Sequence, residues 1–134
     1  LFRSRINVVD ANYLIALFDP ADAHHAWATQ LLATFGAQPV AINSLNLAEV
    51  LVRPYQQGLG AEFEEALVEL EIEVLGAIAE DATELAKLRG QTGLRMPDVL
   101  ALQTALRMRA SLATADARLA RQALALGISV HSPA

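Results

Sequence analysis

The chain has 134 residues, of which 54% are hydrophobic, 19% charged and 5% aromatic; this fits one domain, 1–134, with a real core and excludes a disordered chain. Cysteine is absent, which excludes disulfides, thiolate metal sites and cysteine nucleophiles. Ten basic against fifteen acidic residues leave a net charge of −5, so any attraction for nucleic-acid phosphate needs an uneven distribution of charge.

That unevenness exists. Arg89, Arg95, Arg107, Arg109, Arg118 and Arg121 fall late in the chain, while glutamate crowds Glu62 to Glu84. The longest uncharged stretch, Ala23 to Ala48, is broken by Gln30, Gly36, Gln38, Pro39 and Asn43, so it offers no bilayer span of about 20 apolar residues. Leu1 to Arg5 hold two arginines with no apolar segment behind them, and the expected location is the cytoplasm.

In chain order, Ile6 to Val9 is a short apolar run ending on Asp10, and it reads as a buried strand. Asp10 is placed to cap a helix beginning at Ala11. His24 to Phe35 sets Trp27, Leu31, Leu32 and Phe35 on one helical stripe that stops at Gly36. Val40 to Ile42 is a second strand, followed by a helix over Asn46 to Gln57 and another over Ala61 to Leu70. Ile72 to Leu75 is a third strand, and Ala82 to Arg89 a helix ended by Gly90. Pro97 opens a helix to Met108, where its missing N–H costs nothing. Ser111 to Ala115 is a fourth strand, Ala117 to Leu126 a helix ended by Gly127, and Ile128 to Val130 a fifth strand. Such alternation predicts a three-layer α/β/α sandwich around a parallel sheet of four to five strands.

Four acids occupy special places on that topology. Asp10 and Asp116 end strands, Glu49 lies in the first turn of the helix after the second strand, and Asp98 in the first turn of the helix before the fourth. From Asp98 to Arg109 is about 16 Å of helix at 1.5 Å per residue. From Ser111 to Asp116 is about 16 Å of extended chain at 3.3 Å per residue, which returns Asp116 to the level of Asp98. All four therefore belong to the carboxyl edge of the sheet, where open α/β folds bind ligands. Singly, each has an ordinary explanation as a cap, a dipole partner or a solvated residue. Jointly, with no lysine among them, they are not a capping pattern. Two carboxylates about 5 Å apart repel by about 3 kcal/mol at an effective dielectric of 20, so such a cluster calls for protons or a cation. All-oxygen ligation favours Mg²⁺ or Mn²⁺ over Zn²⁺, and the natural chemistry is metal-assisted phosphodiester hydrolysis.

The segments VVDANYL around Asp10, INSLNLAEVL around Glu49, MPDVLALQTAL around Asp98 and LATADARLA around Asp116 together resemble the PIN-domain ribonucleases, and by size the VapC toxins of bacterial toxin–antitoxin pairs. The resemblance implies a small endoribonuclease using Mg²⁺ or Mn²⁺ on single-stranded or loop RNA. It matches Asp10, Glu49, Asp98 and Asp116 to acidic metal-binding positions, and Asn12 and Thr114 to supporting polar ones. It also implies a homodimer silenced by a cognate antitoxin. Ala113 and Ala115 flank Thr114 where one bulkier strand residue is expected.

Arg95, in a Gly90/Gly93 loop before Asp98, is a candidate substrate-phosphate contact, since arginine suits bidentate phosphate recognition. Arg107, Arg109, Arg118 and Arg121 read as a surface or partner face, and the Glu62, Glu64, Glu65 and Glu69 group as a solvated one. His24, His25 and His131 read as structural; Trp27 and Phe35 fit a core stripe, and Trp27 or Phe63 a partner groove. A phosphoacceptor receiver domain lacks the late-strand lysine it needs, because the only lysine is Lys87. Nucleotide-binding glycine motifs and the GxSxG elbow are absent. A housekeeping RNA-processing nuclease and a non-catalytic PIN-like binding module remain as alternatives.

Overall fold

A computed structural model describes residues 5–133; most of the Leu1 to Arg5 stretch, with Arg3, lies outside them. Among the described residues the elements run β1 (Asn7–Val9), α1 (Ala11–Phe18), α2 (His25–Phe35), β2 (Val40–Asn43), α3 (Ser44–Gln56), α4 (Gly60–Glu69), β3 (Ile72–Leu75), α5 (Asp81–Thr92), α6 (Met96–Met108), β4 (Ser111–Ala113), α7 (Ala117–Ala125) and β5 (Val130–His131). All strand pairs are parallel, in the order β3-β2-β1-β4-β5. No helix among the described residues is long and apolar enough to cross a membrane.

Alternation along each short strand sends neighbouring side chains to opposite faces. Val9 and Ala113 join a core with α1 to α4, whereas Val8 and Leu112 join a second core with α5 to α7. The sheet is thus covered on both sides, as parallel sheets require, and the fold is the expected three-layer sandwich. α6 is buried continuously from Val99 to Ala105. Its two buried polar side chains are accounted for locally. Thr104 donates to the Leu100 carbonyl at 2.7 Å and accepts from Asn43 at 3.2 Å. Gln103 donates to Asp81 at 2.7 Å.

Several boundaries differ from the sequence expectation. α3 begins at Ser44, because the Asn43 side chain already caps the Leu45 N–H at 2.9 Å; Glu49 consequently lies in the second turn, not the first. α5 runs through Gly90 to Thr92, whose hydroxyl donates to the Leu88 carbonyl at 2.7 Å while both residues are buried. The terminator is Gly93, left-handed at φ 69°, so Arg95 is the N-cap of α6 and no Gly90/Gly93 loop exists. β4 stops at Ala113 rather than Ala115, which leaves Thr114 free to bond sideways, and β5 is Val130–His131 rather than Ile128 to Val130.

Asp81 fastens the β3–α5 connection to α6. It accepts from the Ile78 N–H at 2.8 Å, from Gln103 at 2.7 Å and from Arg107 at 3.1 Å. Arg107 is therefore an ion-pair partner, not part of an open surface face. The Ile78 N–H, then Gln103 and Arg107, hold the Asp81 carboxyl below the usual carboxylate range despite its burial. A carboxylate with a depressed folded pKa stabilises above its unfolded pKa and loses that contribution as pH falls through the folded one. Asp81→Asn should melt below the parent at neutral pH, and thermal melts should show the gap closing as pH falls through the acid range where the Asp81 carboxylate takes up its proton.

Candidate active site

The strand order reverses between β1 and β4, the place where open α/β sheets leave a crevice at their carboxyl ends. Asp10 follows β1 and Thr114 follows β4, side by side through the Val9–Ala113 register. Asp10 is only 4% exposed. One carboxylate oxygen accepts the Tyr13 N–H at 2.8 Å and so starts α1; the other accepts the Thr114 hydroxyl at 2.6 Å. The Thr114 oxygen in turn accepts the Asp116 N–H at 3.0 Å. Burial, opposed by those two hydrogen bonds and reinforced by the charges of Asp98 and Asp116, pushes Asp10 up to about 6.

Asp116 caps α7 by accepting the Arg118 and Leu119 N–H groups at 2.9 and 3.0 Å. Asp98 lies half-buried in the first turn of α6. Desolvation chiefly raises its pKa; the charges of Asp116 and Glu49 add to this, and those of Arg95 and Arg118 oppose it. The acids thus sense one another electrostatically, Asp10 with Asp98 and Asp116, and Asp98 with Asp116 and Glu49.

They do not form a closed ligand set. Among the described residues no three histidine, aspartate or glutamate side chains are gathered tightly enough to hold a metal ion. The four acids are thus splayed along one edge rather than gathered into a tight ligand group. Asp10 is turned to Tyr13 and Thr114, and one Asp116 oxygen is taken up in capping α7. Asp98 is half-exposed and Glu49 exposed, so these two side chains keep rotational freedom, whereas Asp116 is half-exposed but held by its cap.

Asn12 is exposed on α1 and Arg95 exposed at the start of α6. Sequence reasoning missed Asn46, which is 1% exposed and donates to the Pro97 carbonyl at 3.0 Å, tying the helix of Glu49 to the helix of Asp98. Its signal was a polar residue inside the otherwise apolar start of α3. Arg118 is exposed, as expected of a surface residue, and it also donates to the Gly93 carbonyl at 3.2 Å, with its charge reaching Asp98.

Beside Glu49 lies an open groove of about 910 Å³ between α1, α3 and α4, floored by Ile15, Phe18, Val52, Leu59 and Phe63. Phe18 and Phe63 stack at 4.4 Å between ring centres, and the Tyr55 hydroxyl donates to Glu64, joining α3 to α4. Phe63 lines this groove, whereas Trp27 packs edge-on against buried Tyr13 at 5.6 Å. Among the histidines, His25 contacts the Ala16 carbonyl at 2.8 Å and His131 packs on Phe35 at 5.4 Å.

An α/β/α sandwich with acids at the strand-order reversal is the architecture of a ligand-binding or hydrolytic α/β domain. The PIN domain family model matches residues 8–124, and the chain belongs to that family. PIN domains are generally nucleases. No curated protein matches the chain by sequence. Among solved structures, a toxin–antitoxin complex from Klebsiella pneumoniae is 26% identical, covering 82% of this chain and 86% of that one, with TM-score 0.71. VapBC2 from Rickettsia felis, bound to a DNA fragment from its promoter, is 16% identical over 95% and 98%, with TM-score 0.72. FitAcB from Neisseria gonorrhoeae is 16% identical over 95% and 97%, with TM-score 0.70. These likenesses extend over nearly the whole fold.

The raised Asp10 pKa has a sign that can be tested. Between 3.8 and about 6 the folded chain holds a proton that the unfolded chain has released, so stability falls as pH rises across that window. Above it the burden is about 3 kcal/mol. Asparagine keeps the shape and the Tyr13 bond without the charge. In EDTA at neutral pH, Asp10→Asn should melt about 5–10 °C higher than the parent, with the two curves converging below about pH 4; a variant melting at or below the parent contradicts this.

Proposed function

We propose that the chain is a Mg²⁺- or Mn²⁺-dependent endoribonuclease, the toxin of a toxin–antitoxin pair, acting as a homodimer in the cytoplasm. The observation that carries this reading is the linked series Asp116 N–H, Thr114 hydroxyl, Asp10 carboxylate at the strand-order reversal, with Asp98 alongside. The donor set fits a hard divalent ion: it offers only carboxylate oxygens, and Asp10 takes up protons more readily than an ordinary aspartate, as a site short of positive charge does. Asp10, Glu49, Asp98 and Asp116 would hold the ion. When bound, it supplies the Lewis acidity that phosphodiester hydrolysis needs.

The protein's own contribution is positioning. Tyr13 and Thr114 fix the Asp10 carboxylate from both sides, and Asn46 fixes the start of α6 and hence Asp98. Asp98 and Glu49 are exposed enough to turn inward when a cation relieves their repulsion. Asn12 and Arg95 face solvent beside the acids, and we assign them to RNA.

The antitoxin is assigned to the groove between α1, α3 and α4. Its floor is apolar, and Asp19, Glu49 and Glu62 on its walls outnumber Arg53, which suits a segment carrying apolar and basic side chains. Such a segment lies against Glu49 and so against the site. The solved toxin–antitoxin complexes of the same fold support that partner class.

With Mg²⁺ or Mn²⁺ the purified chain should cleave single-stranded RNA, EDTA should stop it, and Asp98→Asn should lower the rate by about 10²-fold or more. Induction should arrest growth, and Asp10→Ala should relieve the arrest. Cleavage without arrest points to housekeeping RNA processing. A metal-loaded chain that cuts no RNA across a broad panel, with Asp10→Ala silent in cells, makes it a binding module.

A further inference from the structure

An acidic nuclease edge has an electrostatic difficulty: the substrate backbone is an anion too. Two arginines stand where they meet that difficulty. Arg118 lies two residues beyond Asp116, whose carboxylate accepts the Arg118 N–H at 2.9 Å. Its guanidinium reaches across to the α5–α6 junction and donates to the Gly93 carbonyl at 3.2 Å. Arg95 is two residues further along that junction and three before Asp98. Glycine at 93 suits this contact through its backbone, with little room to spare beside it. The residue is left-handed at φ 69°, and a Cβ there would sit 3.3 Å from the Arg118 guanidinium. From the other side Arg89 donates to the Leu94 carbonyl. The junction is braced by arginines at both ends.

Neither Arg118 nor Arg95 is neutralised. The one ion pair among the described residues is Arg107–Asp81. Both side chains are exposed, Arg95 makes no capping hydrogen bond, and Arg118 has one N–H group spent on Gly93. A guanidinium offers five donors in a planar fork matched to phosphate. Arg95 and Arg118 stand beside Asp98, whose charge they oppose, with most of their donors open to a further anion.

We propose that Arg118 and Arg95 form a two-arginine clamp for backbone phosphates of the RNA strand flanking the cleaved bond, with Gly93 holding Arg118 at the working position. The inference rests on the endoribonuclease reading and names how that site grips its substrate. The clamp sits on the α6–α7 side of the acids, so the strand crosses from the Gly93–Arg95 junction over Asp98 and Asp116. Arginine at 118 is then a binding residue rather than a structural staple, and the two readings separate experimentally. Each phosphate contact on a single strand contributes about 0.7 to the slope of log affinity against log salt, whereas a staple contributes nothing to that slope.

The measurement is fluorescence anisotropy of an unstructured single-stranded RNA oligonucleotide, with Mn²⁺, on Asp10→Asn protein to prevent turnover, between about 50 and 200 mM salt. Adding Arg118→Gln or Arg95→Gln should each reduce the slope by about 0.7 and the double variant by about 1.4. Arg118→Lys, which keeps the charge but loses the fork, should retain the slope with weaker binding. In the otherwise wild-type protein, Arg118→Gln should raise KM about tenfold while kcat and melting temperature stay close to the parent values. An unchanged slope and KM in Arg118→Gln, in a protein that binds and cleaves RNA, overturns the clamp alone. A lowered melting temperature with an unchanged slope does the same and leaves Arg118 as a staple. If the parent neither binds nor cleaves RNA, the clamp and the nuclease reading fall together.

Discussion

The structure depends on one buried carboxylate. Asp10 sits at the end of the central strand with 4% exposure, no cation among the described residues in ion-pair contact, and two hydrogen bonds, from the Tyr13 N–H and the Thr114 hydroxyl. A carboxylate so placed is costly to ionise, as its pKa near 6 records. Yet the same group starts α1 and, through Thr114, fixes the turn that starts α7. Removing the acid would ease the electrostatics and loosen the seam between β1 and β4. A site under electrostatic strain, held by a rigid scaffold, is the usual form of the trade between stability and activity.

The rest of the site is set by how α6 is held. Its apolar surface is buried nearly all round, and apolar contacts alone are non-directional. Direction comes from polar ties: Asn46 to the Pro97 carbonyl, Asn43 to Thr104, and Asp81 to Gln103 and Arg107. Because these ties lie at the start, middle and end of the helix, they fix its rotation as well as its depth. Asp98 inherits its position from that rotation. Asn46 and Gln103 each make their tie through the amide nitrogen and keep a buried carbonyl oxygen without a partner among the described residues.

Much of this was legible in the sequence because it rests on local chemistry. Five short β-branched runs, the caps at Asp10 and Asp116, and the stop at Gly36 are each decided within a few residues, and the three-layer sandwich follows from their alternation. The departures come where distant residues decide. Gly90 looks like a stop, yet buried Leu88 and Thr92 carry α5 past it. Glu49 moves to the second turn because Asn43, still in β2, caps α3 early. Arg107 and Arg118 look like solvated charge until the fold brings Asp81 to one and Gly93 to the other. The placement of the acids along one edge was readable from element lengths. Their splay was not, since it depends on side-chain hydrogen bonds rather than on spacing.

That splay bears on control. Glu49 belongs at once to the apolar groove and to the field acting on Asp98. A ligand in the groove that pairs with Glu49 removes a negative charge from the neighbourhood of Asp98 without any change of fold, and lowers the repulsion that a cation would otherwise relieve. Occupancy of the groove and ion binding at the acids are then linked by a coupling free energy that works equally in both directions. The sign follows from the charges. On the reading proposed above, a basic segment in the groove would pair with Glu49, the one acid of the four that lines it, and would compete there with a cation by charge rather than by bulk.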